Sequence, residues 1–218
     1  PASMASSGFE LVNGIYSFSG SDSEASTALR LLNFEPTRNR LTTKKSEIVA
    51  IALSVCGVEF TTKDYNTSLK VTSVNDAPHL ANFPALVEMA DGKVYTPFSD
   101  VTIVDLDIGS SVTISVHFEG TGILGNWTST GNFTMIDNKT LAYTGTPTDA
   151  ETQLHSLALT PINAVGKQLP PGSISLSKLS LSVSDGVAEV FERDAELHVT
   201  VNNSAPTGIS VDSTTVPE

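Results

Sequence analysis

Apolar and polar residues alternate along much of the chain with the period of two that is typical of β-strands. In "SKLSLSVSDGVAEVF", Leu179, Leu181 and Val183 share one face and serines share the other, which predicts a half-buried strand, a turn and a second strand. Strands are also predicted in "IVAIALSVCGVEF", "VTIVDLDIGSSVTISVHFEG" and "FTMIDNKTLAYTG", the last being a hairpin with "DNK" at its tip. One short helical turn is predicted in "DAETQLHSLAL", with Asp149 at its start. The pattern predicts an all-β chain of Ig-like antiparallel β-sandwiches.

The alternating pattern occurs twice in the same order. "YSFSG" is similar to "AYTG", "ALRLLNFEPT" to "QLHSLALTPI", "IALSVCGVEF" to "LSLSVSDGVAEVF", and "LKVTSVNDAP" to "LHVTVNNSAP". Each pairing alone is weak, but the four have nearly the same offset, and Pro78 and Pro206 are 128 positions apart. The sequence therefore predicts a repeated module of that length.

The prolines mark the predicted module boundaries, because proline removes a ladder donor and restricts the residue before it. We expect an incomplete module at 1–76 (its C-terminal part), a complete module at 77–204, and at 205–218 the first strand of a following module or a donor strand. Tyr143 follows Pro78 by 65 residues, whereas Tyr16 follows Pro1 by 15, so we expect the first module to lack its opening strands. Either the chain is a fragment of a longer array, or a neighbouring chain supplies strands by β-addition.

Charge and cysteine content narrow the classes of function. Twelve basic against twenty-four acidic residues give a net charge of −12, which argues against a nucleic-acid partner and favours the attraction of cations. Cys56 is the one cysteine, so an internal disulfide is excluded, and its position in the alternation predicts an exposed thiol. The longest apolar run is too short for a membrane span, so no membrane insertion is expected in this segment. "PASMASSG" has no signal-peptide pattern, which favours a fragment or a mature form.

The chain resembles a cadherin-like tandem repeat of large secreted or cell-surface proteins. The resemblance rests on "VNDAP", "DLD", "SDG" and the leader strands that end in "VE" and "PE", and it extends over most of the chain. It implies a non-enzymatic, structural or adhesive segment of an extracellular or cell-surface protein. The implied partners are other copies of the chain or further modules of it, in a rod of successive modules. Completion of the first module by strands of a neighbouring chain would instead give a filament.

The resemblance also implies calcium at the module junction, and the residue types fit, because calcium prefers six to eight hard oxygen ligands. The linker, the leader strand and the acidic loop supply the predicted ligands, which are Asn75, Asp76, Glu88, Asp105 and Asp107. The family pattern adds an acidic residue from the preceding module, for which the candidates are Asp22, Glu47 and Asp64. The second junction, with Asn203 in place of Asp76, should bind more weakly or not at all. The alternative is that Asn, Asp and Pro occur here only as turn residues.

Five Asn-x-Ser/Thr sequons predict glycosylation, provided that the source has the pathway, and three of them cluster on what should be exposed hairpin turns. They are Asn66, Asn126, Asn132, Asn138 and Asn202. Turn-forming asparagines in a threonine-rich β protein are the alternative explanation.

A second class of function is carbohydrate binding, with surface glycans as partners and Trp127, the one tryptophan, as a stacking platform. A tryptophan that anchors a loop is the alternative. The four histidines have no zinc-like spacing, and no catalytic motif is present, so an enzyme is not expected.

Overall fold

Strands dominate the computed structural model, which describes residues 7–119, 125–161 and 169–203. These ranges hold fourteen strands and two helices, so the all-β prediction is confirmed. The chain divides into two units: unit 1 comprises Pro1–Asn75 and Leu106–Gly109, and unit 2 comprises Asp76–Asp105 and Ser110–Glu218. The division after Asn75 lies next to the predicted boundary after residue 76. Whether unit 1 is an incomplete module and unit 2 a complete one stays a prediction, and the strand predicted at 205–218 lies outside the described residues.

Unit 1 contains two hairpins and a helix. Its elements are β1 (Glu10–Val12), β2 (Ile15–Ser17), α1 (Asp22–Arg30), β3 (Ser46–Cys56) and β4 (Thr61–Thr72). β1 pairs with β2, and β3 pairs with β4, both antiparallel. Among the described residues of unit 1, Ala28 is the one apolar side chain that is buried.

The apolar pattern predicted a helical segment only in "DAETQLHSLAL", and the helix α1 corrects that expectation. It begins with a capping box: the Ser21 hydroxyl accepts a hydrogen bond from the backbone N–H of Glu24, and the Glu24 carboxylate accepts one from the backbone N–H of Ser21. The Ser-x-x-Glu spacing is a sequence signal for a helix start, and it would have found α1.

Unit 2 is built from ten strands and one helix within the described ranges. They are β5 (His79–Ala81), β6 (Leu86–Ala90), β7 (Thr102–Val104), β8 (Val112–Glu119), β9 (Gly125–Ser129), β10 (Thr134–Met135), β11 (Thr140–Gly145), α2 (Pro147–His155), β12 (Ala158–Pro161), β13 (Ile174–Ser184) and β14 (Glu189–Thr200). Six strands form one sheet in the order β10-β11-β8-β13-β14-β6, in which β6 is parallel to β14 and the other pairs are antiparallel. β5 pairs with β7, and β9 pairs with β12.

The core of unit 2 joins the six-stranded sheet to the smaller sheets and α2. The alternation of β8, β13 and β14 places Ile114, Leu181 and Leu197 on the buried face, and α2 adds Leu154 to the same cluster. The buried apolar set confirms the predicted inward face of Leu179, Leu181 and Val183. Burial of such a face is the main stabilising term for a sheet of this kind.

Polar side chains fix the predicted turns. At the tip of the β10–β11 hairpin, the Asp137 carboxylate accepts hydrogen bonds from the backbone N–H of Lys139 (2.7 Å) and the hydroxyl of Thr140 (3.0 Å). In the β13–β14 turn, Asp185 accepts from two backbone N–H groups, and Gly186 has a φ of 84°. The left-handed conformation favours glycine at that position, so both hairpin predictions and their turns are confirmed.

The predicted helical turn is a nine-residue helix, α2, that begins earlier than expected. Its N-cap is Thr146, and Pro147 occupies the first turn. Asp149 is the third helical residue: its backbone N–H donates to the Thr146 hydroxyl, which in turn donates to the Asp149 carboxylate. The start predicted at Asp149 is therefore corrected to Pro147, with the N-cap at Thr146.

The unit 1 hairpin (β3 and β4) and the unit 2 hairpin (β13 and β14) have the same construction. The bounds of both strands shift by 128 positions from one hairpin to the other. Ser46 pairs with Thr72 as Ile174 pairs with Thr200. Each ladder also has a register irregularity at the same place, between Ile51 and Leu53 in one and between Leu179 and Leu181 in the other.

Candidate functional site

Two of the predicted calcium ligands lie at one end of the β5–β7 sheet in unit 2. His79 pairs with Val104 in this antiparallel ladder. The chain that enters β5 carries Asp76, and the chain that leaves β7 carries Asp105, so the ladder brings both segments to the same end. Both residues are half-buried. This placement puts two carboxylate-bearing segments side by side.

The other three predicted ligands are distributed differently. Glu88 is exposed on β6 and pairs with His198 of β14, so the structure places it in the six-stranded sheet. Asn75 and Asp107 belong to unit 1. Asn75 is half-buried, whereas Asp107 is only 7% exposed, which is uncommon for a carboxylate.

The donor chemistry of the predicted set matches a hard cation, because each proposed ligand atom is an oxygen. Across the described ranges, no group of three or more His, Cys, Asp and Glu side chains is placed to hold a metal ion. Calcium also binds backbone carbonyl, side-chain amide and water oxygens, which do not belong to His, Cys, Asp or Glu side chains. All five predicted ligands, Asp76 and Asp105 included, therefore stay a prediction.

The three candidate acidic residues of the preceding module have local roles. Glu47 forms an ion pair with Arg40. The Asp64 carboxylate accepts hydrogen bonds from the backbone N–H of Asn66 (2.9 Å) and the hydroxyl of Thr67 (2.8 Å), and the first of these chiefly lowers its pKa. Asp22 lies in the first turn of α1, where a negative charge is favourable. These local roles account for all three residues without a cation.

The predicted glycosylation sites differ in accessibility. Asn66, Asn132 and Asn138 are exposed, and Asn138 lies at the tip of the β10–β11 hairpin, as predicted. The side-chain amide of Asn202 donates a hydrogen bond to the carbonyl of Asp91 (3.1 Å), which competes with its use as a glycan acceptor. The side chain of Asn126 lies outside the described residues.

Trp127 lies on β9 opposite Leu159 of β12. It is half-buried and packs against the core of unit 2. A sugar platform needs an open ring face, so this packing favours the anchor interpretation over the stacking one.

A shallow groove on the outer face of the six-stranded sheet was not predicted from the sequence. It has a volume of 690 Å³, and its lining includes His117, Lys178, Glu196 and His198. Lys178 pairs with Glu119 of β8 on one side and Glu196 of β14 on the other, and His198 Nε2 lies 3.2 Å from the Glu196 carboxylate. Opposite charges therefore alternate across the strands, which stabilises the sheet. The histidines are far apart in sequence, and only the strand register brings them to one face.

Cys56 is exposed at the end of β3, which confirms the prediction from parity. Hydrogen bonds from the side chains of Thr61 and then Ser54 lower the pKa of its thiol. Neither helix in the described ranges is long and apolar enough to cross a bilayer.

No protein-family model matches the chain, and no curated protein sequence matches it. One solved structure with partial similarity is Drosophila N-cadherin EC1-4, with 12% sequence identity and a TM-score of 0.31. The alignment covers 80% of this chain and 38% of that chain, so this chain spans less than half of that structure. The all-β assignment rests on the strands and sheets described above.

Proposed function

We propose that the chain is a non-enzymatic structural segment of an extracellular surface or fibre-forming protein, built from repeated cadherin-like modules. The observation that supports this proposal best is the pair of hairpins that share strand bounds, pairing and a bulge at an offset of 128 residues. Repeated β-units of this kind extend a chain and present surfaces along it. Other copies or further modules are its partners, and its role is to extend and to adhere.

Calcium at the Asn-Asp-Ala-Pro linker is the proposed stiffening element. Support comes from the carboxylates of Asp76 and Asp105 at one end of the β5–β7 sheet, together with the net charge of −12. Bound calcium supplies positive charge that offsets the repulsion between neighbouring carboxylates. Asn75, Glu88 and Asp107 are the further ligands that the sequence predicts.

A thermal melt in EDTA and in millimolar calcium tests this proposal. At about 100 times its dissociation constant, calcium should stabilise the binding state by about 2.7 kcal/mol. That corresponds to a rise of roughly 5–11 °C for a chain of this size. Asp76→Ala should abolish the rise, because it removes a proposed ligand.

The matched control is Asp100→Ala, an exposed aspartate in the turn before β7 that is not a proposed ligand. Its melting temperature should still rise with calcium. A melting temperature that calcium leaves unchanged in the parent chain would remove calcium from the proposal. An equal loss in both variants would show a non-specific charge effect.

A further inference from the structure

The two edges of β13 in the unit 2 hairpin are both occupied. β13 pairs with β14 on one side and with β8 on the other. On the β8 side, Leu179, Leu181 and Val183 pair with Phe118, Val116 and Ile114. β8 therefore occupies the second edge of β13, and its apolar residues extend the apolar face of that strand.

The equivalent edge of β3 in unit 1 has no neighbouring strand among the described residues, where β3 and β4 form a sheet of two. The residues that match the three buried positions of β13 are Ile51, Leu53 and Val55. Leu179, Leu181 and Val183 are 0% exposed, whereas Ile51 and Leu53 are half-buried and Val55 is 55% exposed. The apolar face of the unit 1 hairpin is therefore formed but incompletely covered.

The sequence of β3 has few of the features that protect a free edge. β3 is eleven residues long, contains no proline, and carries one charged side chain, Glu47, which is paired with Arg40 near its first residue. Natural free edges are usually short or carry charges, proline or bulges along their length. The stretch 50–56, "AIALSVC", has no charge, and the extra residue of the irregular ladder lies on β4, so this edge of β3 can accept a strand.

We propose that the free edge of β3 is a docking site for an antiparallel strand of the β8 type, with apolar side chains at alternate positions. The register follows from the 128-residue offset. Ile51, Leu53 and Val55 would pair with the residues that correspond to Phe118, Val116 and Ile114. The inference rests on the proposed organisation into repeated modules. It specifies the edge of unit 1 on which a further strand docks, the direction of that strand and its register.

The source of the strand is another module of the same polypeptide, placed ahead of unit 1 in chain order. In unit 2 the strands β5 to β9 precede the segment that matches unit 1, so chain order assigns the docking strand to a preceding position. A second copy cannot give its own β8 strand. Its β8 is paired with β11 and β13, and Val112, Ile114 and Val116 are at most 1% exposed. Donation would require unit 2 to unfold.

The test is the full chain with a copy of residues 77–128 fused directly ahead of Pro1, which restores the offset between the repeats. Hydrogen exchange of the backbone amides in 50–56 is the readout, followed by mass spectrometry of a fragment that contains β3. In the fused chain these amides should exchange roughly tenfold more slowly, or better, than in the parent chain. Amides of β13 at 178–184 should be protected in both and serve as the internal reference.

The matched control is the same fusion with aspartate in place of both Ile114 and Val116 in the added copy. It should leave the exchange of 50–56 as fast as in the parent. Equally fast exchange in the unmodified fusion would overturn the proposal. Protection of 50–56 in the parent chain as strong as that of 178–184 would also overturn it, because pairing with β4 alone protects only the amides that face β4. Sedimentation velocity would then show whether a second copy covers the edge. None of the proposed calcium ligands lies in β3, so the calcium proposal and the docking proposal can each fail without the other.

Discussion

The hairpins of units 1 and 2 share strand lengths, pairing and a bulge, and they differ in what lies beside them. β13 has β8 at its second edge, whereas β3 has no second neighbour in the described part of the chain. Leu181 is accordingly 0% exposed, and the matching Leu53 is only half-buried. Alternation along the strand is thus sufficient for hairpin geometry, while burial depends on strands supplied from elsewhere in the sequence.

The turns of the two hairpins show how little the hairpin depends on its tip. Both close with the same backbone hydrogen bond, Gly57 N–H to Phe60 carbonyl (2.8 Å) and Asp185 N–H to Ala188 carbonyl (3.2 Å). Unit 2 adds the left-handed Gly186, whereas no residue of the unit 1 turn has a positive φ. Different turn chemistry therefore supports one register, because the strand faces decide the pairing.

The two helices differ in burial in the same way as the two hairpins. α1 and α2 are both nine residues long, and each has a leucine one residue before its last residue. Leu154 of α2 is 0% exposed in the core, and Leu29 of α1 is 39% exposed. The same apolar position is thus a core residue in one unit and a surface residue in the other.

The largest expected difference between the units comes from truncating the matched leucines of the hairpins. Leu181→Ala should lower the free energy of unfolding by about 2–5 kcal/mol, because it leaves a cavity in a packed core. Leu53→Ala should cost only about 1 kcal/mol, because less of its surface is removed from water. Urea denaturation of both variants, followed by circular dichroism and by exchange of each hairpin, measures the two losses.

Ile48→Ala is the control for this pair, since Ile48 lies on the opposite face of β3 and is largely exposed. It should leave the stability of unit 1 nearly unchanged. Equal losses for Leu181→Ala and Leu53→Ala would contradict the comparison and would mean that the unit 1 face is covered in solution.

Much of the fold follows from the sequence because its signals are local. Alternation predicts β3, β8 and β13, and the Asp137 and Asp185 turns follow from short-range hydrogen bonding of aspartate to nearby backbone N–H groups. α1 was missed because its apolar face is thin, although the Ser21–Glu24 spacing carried the signal. Long-range pairing is harder to predict, and nothing local specifies that β8 lies between β11 and β13.

For the candidate site, too, local signals could be predicted from the sequence and long-range strand pairing could not. The types of residue in the linker and in "DLD" predict oxygen ligands, and the β5–β7 ladder accounts for the proximity of the segments that carry Asp76 and Asp105. Glu88 was predicted from its place in a leader strand, but its position opposite His198 depends on the parallel β6–β14 pairing. A pattern of alternating residues does not encode that register, so sequence alone cannot place Glu88.

A smaller difference is expected from the helix caps. Ser21→Ala and Thr146→Ala each remove a hydroxyl that accepts a backbone N–H, at a typical cost of about 1 kcal/mol. In α2 the loss should lower the melting temperature of unit 2, because Ala150 and Leu154 couple the helix to the core. In α1 it should appear mainly as fraying, measured as faster hydrogen exchange in 22–30.

Ser21→Asp and Thr146→Asp are the conservative controls, since aspartate is also a good N-cap residue. Both should restore most of the loss. If Ser21→Ala lowered the melting temperature of the whole chain as much as Thr146→Ala does, α1 would be as strongly coupled to a core as α2, and the comparison would fail.

The smallest expected effect is a dependence on pH that both units should share. Backbone hydrogen bonds from Asn66 and Lys139 lower the pKa values of Asp64 and Asp137, with smaller contributions from Thr67 and Thr140. A lowered folded-state pKa means that the contribution to stability is present above the ordinary carboxyl pKa of about 4. It is lost as the pH falls through the folded-state pKa, because the unfolded chain then binds the proton more readily.

NMR titration of the two carboxyl groups from pH 7 to pH 2 measures this effect, and Asp64→Asn and Asp137→Asn identify the signals. Both carboxyl groups should titrate below their ordinary range, since each accepts from residues two and three positions further along, whatever lies beside the strand. If Asp64 titrated normally while Asp137 did not, β4 would be locally open in solution. Incomplete cover would then weaken the unit 1 hairpin itself, and not only the burial of its apolar face.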